Sequence, residues 1–336
     1  MKAMQVKKPG GDFELVERPV PEPGEGEVLI KVDACGICHS DSIVKEGLFP
    51  GIPYPRSPGH EIVGKVEKVG QNVQIWKKGQ RVGVGWYGGH CSECDACRRG
   101  DFLSCSNGKI CGITYDGGYQ EYMTAPQEAL AAVPDVLKSE EAAPLLCAGI
   151  TTYNALRHSG ARPGDVVAIL GVGGLGHLGV QYAHRSGYKT VAISGSGAKR
   201  ELAKKLGADV YLSAADDNVS EELQKLGGAS VILATAPNGK AISAVIDGLG
   251  LNGKLIVVAA SPDPIEVHPL QLIGGRKTLT GWSSGIAKDS EDALVFSARE
   301  NVGAMVETFP LEKANQAYER MMSNQARFRV VLTTGT

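Results

Sequence analysis

Two textures of hydrophobic patterning divide the chain. Up to about residue 147, apolar residues form short alternating runs between Gly and Pro clusters, the pattern of half-buried strands. Glu27-Val28-Leu29-Ile30-Lys31-Val32 is one such run, and Ile62 through Val69 is another. From about residue 148 the runs become continuously apolar, at Val166 to Leu170, Val191 to Ile193, Val231 to Ala234 and Leu255 to Ala259. A stretch with helical spacing, Leu175 to Ser186, lies between the first two. Buried parallel strands joined by helices have this texture. The pattern predicts a β-rich domain over residues 1–147 and a doubly wound α/β domain over 148–286. After about residue 287 it predicts one more helix, Leu311 to Ser323, and one strand, Phe328 to Leu332. Pattern alone does not say which domain that tail joins.

Composition narrows the class. A length of 336 residues suits two domains, and 43% hydrophobic residues supply a core without disulfide help. Lys and Arg number 35 against 37 Asp and Glu, a net charge of -2. That balance argues against nucleic acid or an anionic membrane as the main partner. No apolar run approaches the roughly 18 residues of a membrane span. The N-terminal stretch breaks at Pro9 and Gly10 before an apolar core develops, so no secretory signal is expected and the location is expected to be cytoplasmic. The 44 glycines show no Gly-X-Y period and point to turns and close backbone approaches. No solenoid or propeller repeat is present.

Gly171-Val172-Gly173-Gly174-Leu175-Gly176 follows an apolar strand and opens a helix. In that context G-x-G-x-x-G is a pyrophosphate-binding turn. The first glycine allows the turn, the second lets a phosphate approach the backbone, and the third lets helix and strand pack closely. The free N–H groups of the helix N-terminus then face the phosphates. About 20 residues on, an acidic residue would bind the ribose 2′-hydroxyl of NAD. Here Ser194 is followed by Gly195, Ser196, Gly197, Ala198, Lys199 and Arg200, with no carboxylate among them. Two hydroxyls and two cations favour a 2′-phosphate, hence NADP(H), with NAD(H) as the alternative. Lys199 and Arg200 could equally begin a solvated helix, Lys199 to Leu206.

Eight cysteines in a chain with no secretory signal read as metal or catalytic groups before disulfides. Cys91, Cys94, Cys97 and Cys105 lie close enough in sequence for four thiolates to close a tetrahedron around Zn²⁺ with no open position. Such a site braces a loop. His90 reads as a bystander beside a shell already filled by sulfur, and Cys35 and Cys111 read as ordinary buried thiols. Cys38, His60 and Cys147 are the dispersed candidates. Two thiolates and one imidazole would leave a fourth position open, the pattern of a catalytic zinc. Sequence spacing does not bring these three together, and His60 by itself could be a core or loop histidine.

The chain resembles the zinc-dependent medium-chain alcohol dehydrogenases along nearly its whole length. The resemblance rests on Cys-Gly-Ile-Cys-His-Ser-Asp at 35–41, Pro-Gly-His-Glu at 58–61, the four-cysteine lobe, Leu-Leu-Cys-Ala-Gly-Ile-Thr-Thr-Tyr at 145–153 and the glycine turn at 171–176. Ser194 and the 145–151 segment are most similar to the cinnamyl alcohol dehydrogenase-like and microbial aldehyde reductase branch. The resemblance implies a GroES-like catalytic domain completed by residues 287–336, a Rossmann domain, and an active site in the cleft between them. It implies two zincs per chain, with Cys38, His60 and Cys147 as catalytic ligands and Glu61 as a carboxylate able to approach the metal. Asp41 would support the ligand histidine. Ser40 would hand a proton to or from the substrate oxygen. His39 and Arg329 would lie near the cofactor pyrophosphate and Thr151 beside the nicotinamide. Trp86 and Phe49 would line the substrate pocket. The assembly implied is a homodimer or homotetramer built through the Rossmann sheets.

One residue departs from the family pattern. Many members carry the proton relay onward through a histidine three positions after the serine, and here that residue is Ile43. The relay must end in water, in the cofactor ribose or by way of His39. The expected activity is NADP-dependent reduction of an aryl or medium-chain aldehyde, reversible to the primary alcohol. An NAD-linked short-chain alcohol dehydrogenase and a zinc polyol or threonine dehydrogenase are the enzyme alternatives. A non-catalytic relative on the same fold is the alternative of another class, and it should lack some ligands that this chain has.

Overall fold

The computed structural model describes residues 1–335. The chain divides into two compact units, Met1–Ile150 together with the stretch from Gly285 onward, and Thr151–Ser284.

The first unit is built around one long strand, Glu27–Ile37. It pairs antiparallel with Ile62–Val69, with Tyr122–Pro126 and with Arg329–Thr333. Arg81–Val84 and then Leu130–Ala132 extend the sheet on one side, and Val306–Pro310 closes it on the other. The alternation read from the sequence is interrupted twice where Glu27–Ile37 meets Ile62–Val69, between Leu29 and Ile30 and between Val32 and Ala34. Each shift is a bulge, which bends a strand and re-aims its side chains. Cys38 and His60, residues of the candidate site, lie just beyond the end of the long strand and just before the start of its partner. The core beneath includes Val28, Ile30, Val32, Ile62, Val66, Tyr119 and Val330, all buried.

The tail is richer than the sequence pattern predicts. Besides the helical stretch Leu311–Lys313 with Ala314–Met322 and the strand Arg329–Thr333, it contains a helix, Ala287–Glu300, and the strand Val306–Pro310. The helix buries only Ser290, Ala293, Leu294 and Ser297. A stripe of small and hydroxyl side chains leaves almost no hydrophobic period to read.

The second unit is a six-stranded parallel sheet. In chain order its strands are Val166–Leu170, Lys189–Ser194, Val210–Ser213, Ala229–Ala234, Leu249–Val257 and Thr278–Gly281. In space they run third, second, first, fourth, fifth, sixth. This is the doubly wound order of a dinucleotide-binding sheet, with its switch point between the first and fourth strands. Val166–Leu170 is buried at every position, which is why it reads as a continuous apolar run. Thr278–Gly281 is mostly exposed and has no such run, so the sequence pattern does not reveal it. Leu249–Val257 starts six residues before its apolar stretch, across an irregularity where Asn252 takes a positive φ of 58°. Among the described residues no helix is long and apolar enough to cross a membrane.

Candidate active site and metal centres

Cys38 leaves the end of the strand Glu27–Ile37 and starts the short turn His39–Asp41. The Asp41 carboxylate folds back to accept the Cys38 N–H at 2.8 Å, so the turn fixes both residues at once. His60 and Glu61 directly precede Ile62–Val69, and Gly36 N–H donates to the Glu61 carbonyl at 2.9 Å across the sheet. Cys147 sits between the turn Ala143–Leu146 and the helix Ala148–Arg157. Sequence spacing leaves these residues scattered, whereas the fold gathers them. One ligating atom from each of Cys38, His60, Glu61 and Cys147 lies within 4.8 Å of the others.

The donor set fits a zinc ion. His60 Nδ1 is 3.1 Å from Asp41 Oδ1, which assigns that nitrogen to the carboxylate. His60 Nε2 is buried and has no hydrogen-bond partner, an expensive arrangement unless a metal or ligand uses the lone pair. Cys38 Sγ and Cys147 Sγ lie 3.9 Å apart. Two sulfurs and one imidazole are ligands that zinc prefers, and three protein ligands leave a position for substrate. The Cys147 contact, against the resistance of burial, holds the Cys38 thiol well below its usual range. The same contact, with burial, holds Cys147 well above it, as expected of two sulfurs sharing one proton. Burial works against a charged His60, but Asp41 and Cys38 outweigh it and raise its pKa.

Glu61 is fully buried, and burial lifts its carboxyl to about 7 against the pull of Arg329. Its Oε1 accepts from Arg329 Nη2, while its Oε2 has no partner. Arg329, which the resemblance puts near a pyrophosphate, has its guanidinium on Glu61 and on the Ile37 carbonyl at 3.1 Å. Trp86 sets its ring edge-on to His60, centroids 5.0 Å apart at 89°, which puts it against the cluster. Ser40 is half-buried in the turn after Cys38, His39 is exposed, and Ile43 is half-buried. Phe49 is 43% exposed. One residue of this neighbourhood carries no sequence signal: the Tyr119 hydroxyl donates to Asp41 Oδ2 at 2.9 Å.

The four-cysteine lobe forms a second cluster, with Cys91, Cys94, Cys97 and Cys105 sulfurs all within 4.8 Å of one another. Sulfur separations of 3.5 Å for Cys91–Cys105 and 3.9 Å for Cys94–Cys105 are far beyond a disulfide bond. Backbone N–H groups of Cys97 and Ser106 pull the Cys94 thiol down to about 5, favouring the thiolate that metal binding needs. His90 pairs its Nδ1 with the Tyr87 hydroxyl and packs on Phe102, centroids 4.2 Å apart, outside the sulfur group. Cys35 and Cys111 are buried, and burial raises both thiols, Cys111 to about 12.

In the second unit, Gly171 takes a φ of 97°, which only glycine adopts easily. A Cβ at Gly176 would lie 1.8 Å from the Gly171 carbonyl, so the turn closes only with glycine there. Nothing stands within 4 Å of a Cβ built at Gly173, which leaves the backbone open to a ligand. Gly174 and Leu175 complete the turn, and the helix Gly176–Arg185 follows. Thr235, after the fourth strand, bonds to the Leu170 and Gly171 carbonyls at 3.0 and 2.9 Å and fastens the turn to the switch point. Ser194 ends the second strand, and Ser196 is exposed beyond it. Lys199 Nζ reaches the Val172 carbonyl at 2.7 Å, carrying its charge to the glycine turn. Arg200 is exposed, lies over the Tyr211 ring at 4.9 Å and donates from Nη1 to the Tyr211 carbonyl at 3.2 Å. Thr151 is buried at the start of this unit.

Two family models match the chain. Residues 24–135 match the family described as alcohol dehydrogenase GroES-like domain, and residues 174–299 match the zinc-binding dehydrogenase family. The chain is 44% identical over 327 residues to the alcohol dehydrogenase patD of Penicillium expansum, covering 97% of this chain and 96% of that one. Its structure resembles a cinnamyl alcohol dehydrogenase of Sorghum bicolor with a TM-score of 0.89 and 31% identity, over 99% of this chain and 97% of that one. It also resembles a cobalt- and zinc-bound thermostable alcohol dehydrogenase of Pyrobaculum aerophilum, with a TM-score of 0.87 and 28% identity over 99% of each chain. The chain belongs to the zinc-type medium-chain alcohol dehydrogenases, oxidoreductases that join a GroES-like domain to a Rossmann sheet.

Proposed function

We propose that this alcohol dehydrogenase is zinc-dependent, prefers NADP(H), and works mainly as a reductase of aryl or medium-chain aldehydes. The observation that carries the zinc assignment is the buried, unpartnered Nε2 of His60 among Cys38, Cys147 and Glu61. Cys38, His60 and Cys147 would hold the ion, and Cys91, Cys94, Cys97 and Cys105 a second, structural one. The catalytic zinc, when bound, supplies Lewis acidity toward the substrate oxygen, lowering the barrier to hydride arrival and the pKa of the alcohol in reverse. The nicotinamide supplies or accepts the hydride.

The chain's own residues do the rest. Asp41 keeps the proton on His60 Nδ1, so that Nε2 presents a lone pair. Ser40 donates its hydroxyl proton to the substrate oxygen as hydride reaches the carbonyl carbon, and recovers one from water or through His39. Ile43 cannot take part in that recovery. Trp86 offers an aromatic wall that suits an aryl or medium-chain substrate, and Phe49 is assigned to the same pocket. Gly171, Gly173, Gly174, Leu175 and Gly176 present the pyrophosphate site, assisted by His39 and Arg329, and Thr151 borders the nicotinamide. Ser194, Ser196, Lys199 and Arg200 receive the 2′-phosphate, with no carboxylate between 194 and 200 to repel it. The proposed setting is cytoplasmic, as a homodimer or homotetramer.

The test is kcat/KM for NADPH and NADH side by side with benzaldehyde. The expected NADPH preference is about a hundredfold, roughly 2.7 kcal/mol of transition-state discrimination. A preference for NADH would overturn the phosphate-site assignment and favour an NAD-linked enzyme.

A further inference from the structure

Asp41 is the hinge of the His60 arrangement, and its two oxygens are divided between two tasks. Oδ1 faces His60 Nδ1 at 3.1 Å. Oδ2 accepts two hydrogen bonds, from Cys38 N–H at 2.8 Å and from the Tyr119 hydroxyl at 2.9 Å. A carboxylate held through a single donor can still swing about its Cβ–Cγ bond. Two donors converging on Oδ2 fix the plane of the carboxylate and leave Oδ1 for the imidazole.

Tyr119 grips the other side of the pair as well. It is fully buried. Its N–H donates to the Pro58 carbonyl at 3.0 Å, two residues before His60. Its ring lies against Gly59, where a Cβ would come within 2.6 Å of Tyr119 Cδ1, so residue 59 must be glycine for the ring to sit there. Phe13 packs edge-on to that ring with centroids 5.6 Å apart and holds it in place. One side chain thus contacts both the peptide that carries the ligand histidine and the carboxylate that orients it.

We infer that Tyr119 is a positioning residue for the metal-ligating face of His60, acting through Asp41 by way of its hydroxyl. This rests on the zinc assignment proposed above. The hydroxyl is two hydrogen bonds away from the metal position and is not a ligand. Partners of metal ligands typically account for 10- to 100-fold in metal affinity or activity, and a group one step farther out falls at the lower end. Tyr119→Phe removes only the hydroxyl and keeps the ring that fills the space by Gly59.

The experiment loads wild type, Tyr119→Phe, Asp41→Ala and the double variant with Zn²⁺, then follows zinc release to excess chelator with a colorimetric indicator. Thermal unfolding is recorded in parallel, and Phe13→Leu serves as a control that loosens the ring and keeps the hydroxyl. Wild type should release two zincs in two phases. Tyr119→Phe should release one of them about tenfold faster and leave the other unchanged. Asp41→Ala, which removes the acceptor altogether, should accelerate the same phase more strongly, and adding Tyr119→Phe to it should change nothing further, since the hydroxyl acts only through the carboxylate. Phe13→Leu should lower the unfolding temperature without selecting one phase. Wild-type release kinetics in Tyr119→Phe, equal acceleration of both zincs, or additive effects in the double variant would each overturn the inference. A wild-type protein that binds only one zinc would instead overturn the zinc assignment beneath it.

Discussion

The two cysteine-bearing clusters of the first unit are built on opposite plans. The lobe takes all four sulfurs from residues 91–105 and leaves three of its four cysteines half-exposed. The other cluster takes Cys38, His60 and Cys147 from three separate parts of the chain and buries an unpartnered imidazole nitrogen among them. Four soft ligands complete a coordination shell, and local spacing is enough to do it. Three ligands from distant segments require the whole sheet to fold before the site exists, and they leave one position for chemistry. Beside the first cluster, Asp101 serves the local turn, accepting the Ser104 N–H at 3.3 Å. Beside the second, Glu61, Arg329, Asp41 and Trp86 all press close, and the environment sets the pKa of each ligand.

Breaking the two plans should have opposite consequences. Cys147→Ser should lower aldehyde reduction by about a thousandfold or more, because the lost Lewis acid was worth several kcal/mol, while the unfolding temperature barely changes. Ser40→Ala should come next, cutting kcat about a hundredfold with both zincs retained, the usual weight of a positioned proton donor. Wild-type turnover in that variant would remove Ser40 from the relay. Cys97→Ser should act on stability instead, lowering the unfolding temperature by roughly 5–10 °C through loss of the structural metal. Its turnover per folded molecule should fall severalfold at most. If Cys97→Ser abolished turnover in fully folded protein, the distinction between a bracing site and a working site would fail.

The same contrast decided what could be read from the sequence. The four-cysteine spacing and the glycine turn are local, and each carries its own context, a loop of clustered thiols in one case and a strand-to-helix junction in the other. Val166–Leu170 was legible because full burial makes a strand continuously apolar. The dispersed cluster was not legible from spacing, and only resemblance to a family joined Cys38, His60 and Cys147. Tyr119 was invisible, since its partner Asp41 lies 78 residues away and nothing in the local pattern distinguishes it from a core tyrosine. The helix Ala287–Glu300 escaped because its buried stripe is made of serine and alanine around a single leucine. Arg329 entered only through the family resemblance, as a group near the pyrophosphate, and its contact with Glu61 depends on the pairing of Arg329–Thr333 with Glu27–Ile37.

The most direct test of the two-plan account is zinc content per chain in wild type, Cys147→Ser and Cys97→Ser, with aldehyde reduction measured on the same samples. The account predicts two zincs and full activity in wild type, one zinc and no activity in Cys147→Ser, and one zinc with activity surviving in Cys97→Ser. Two zincs in Cys147→Ser, or full activity without the second zinc, would contradict it.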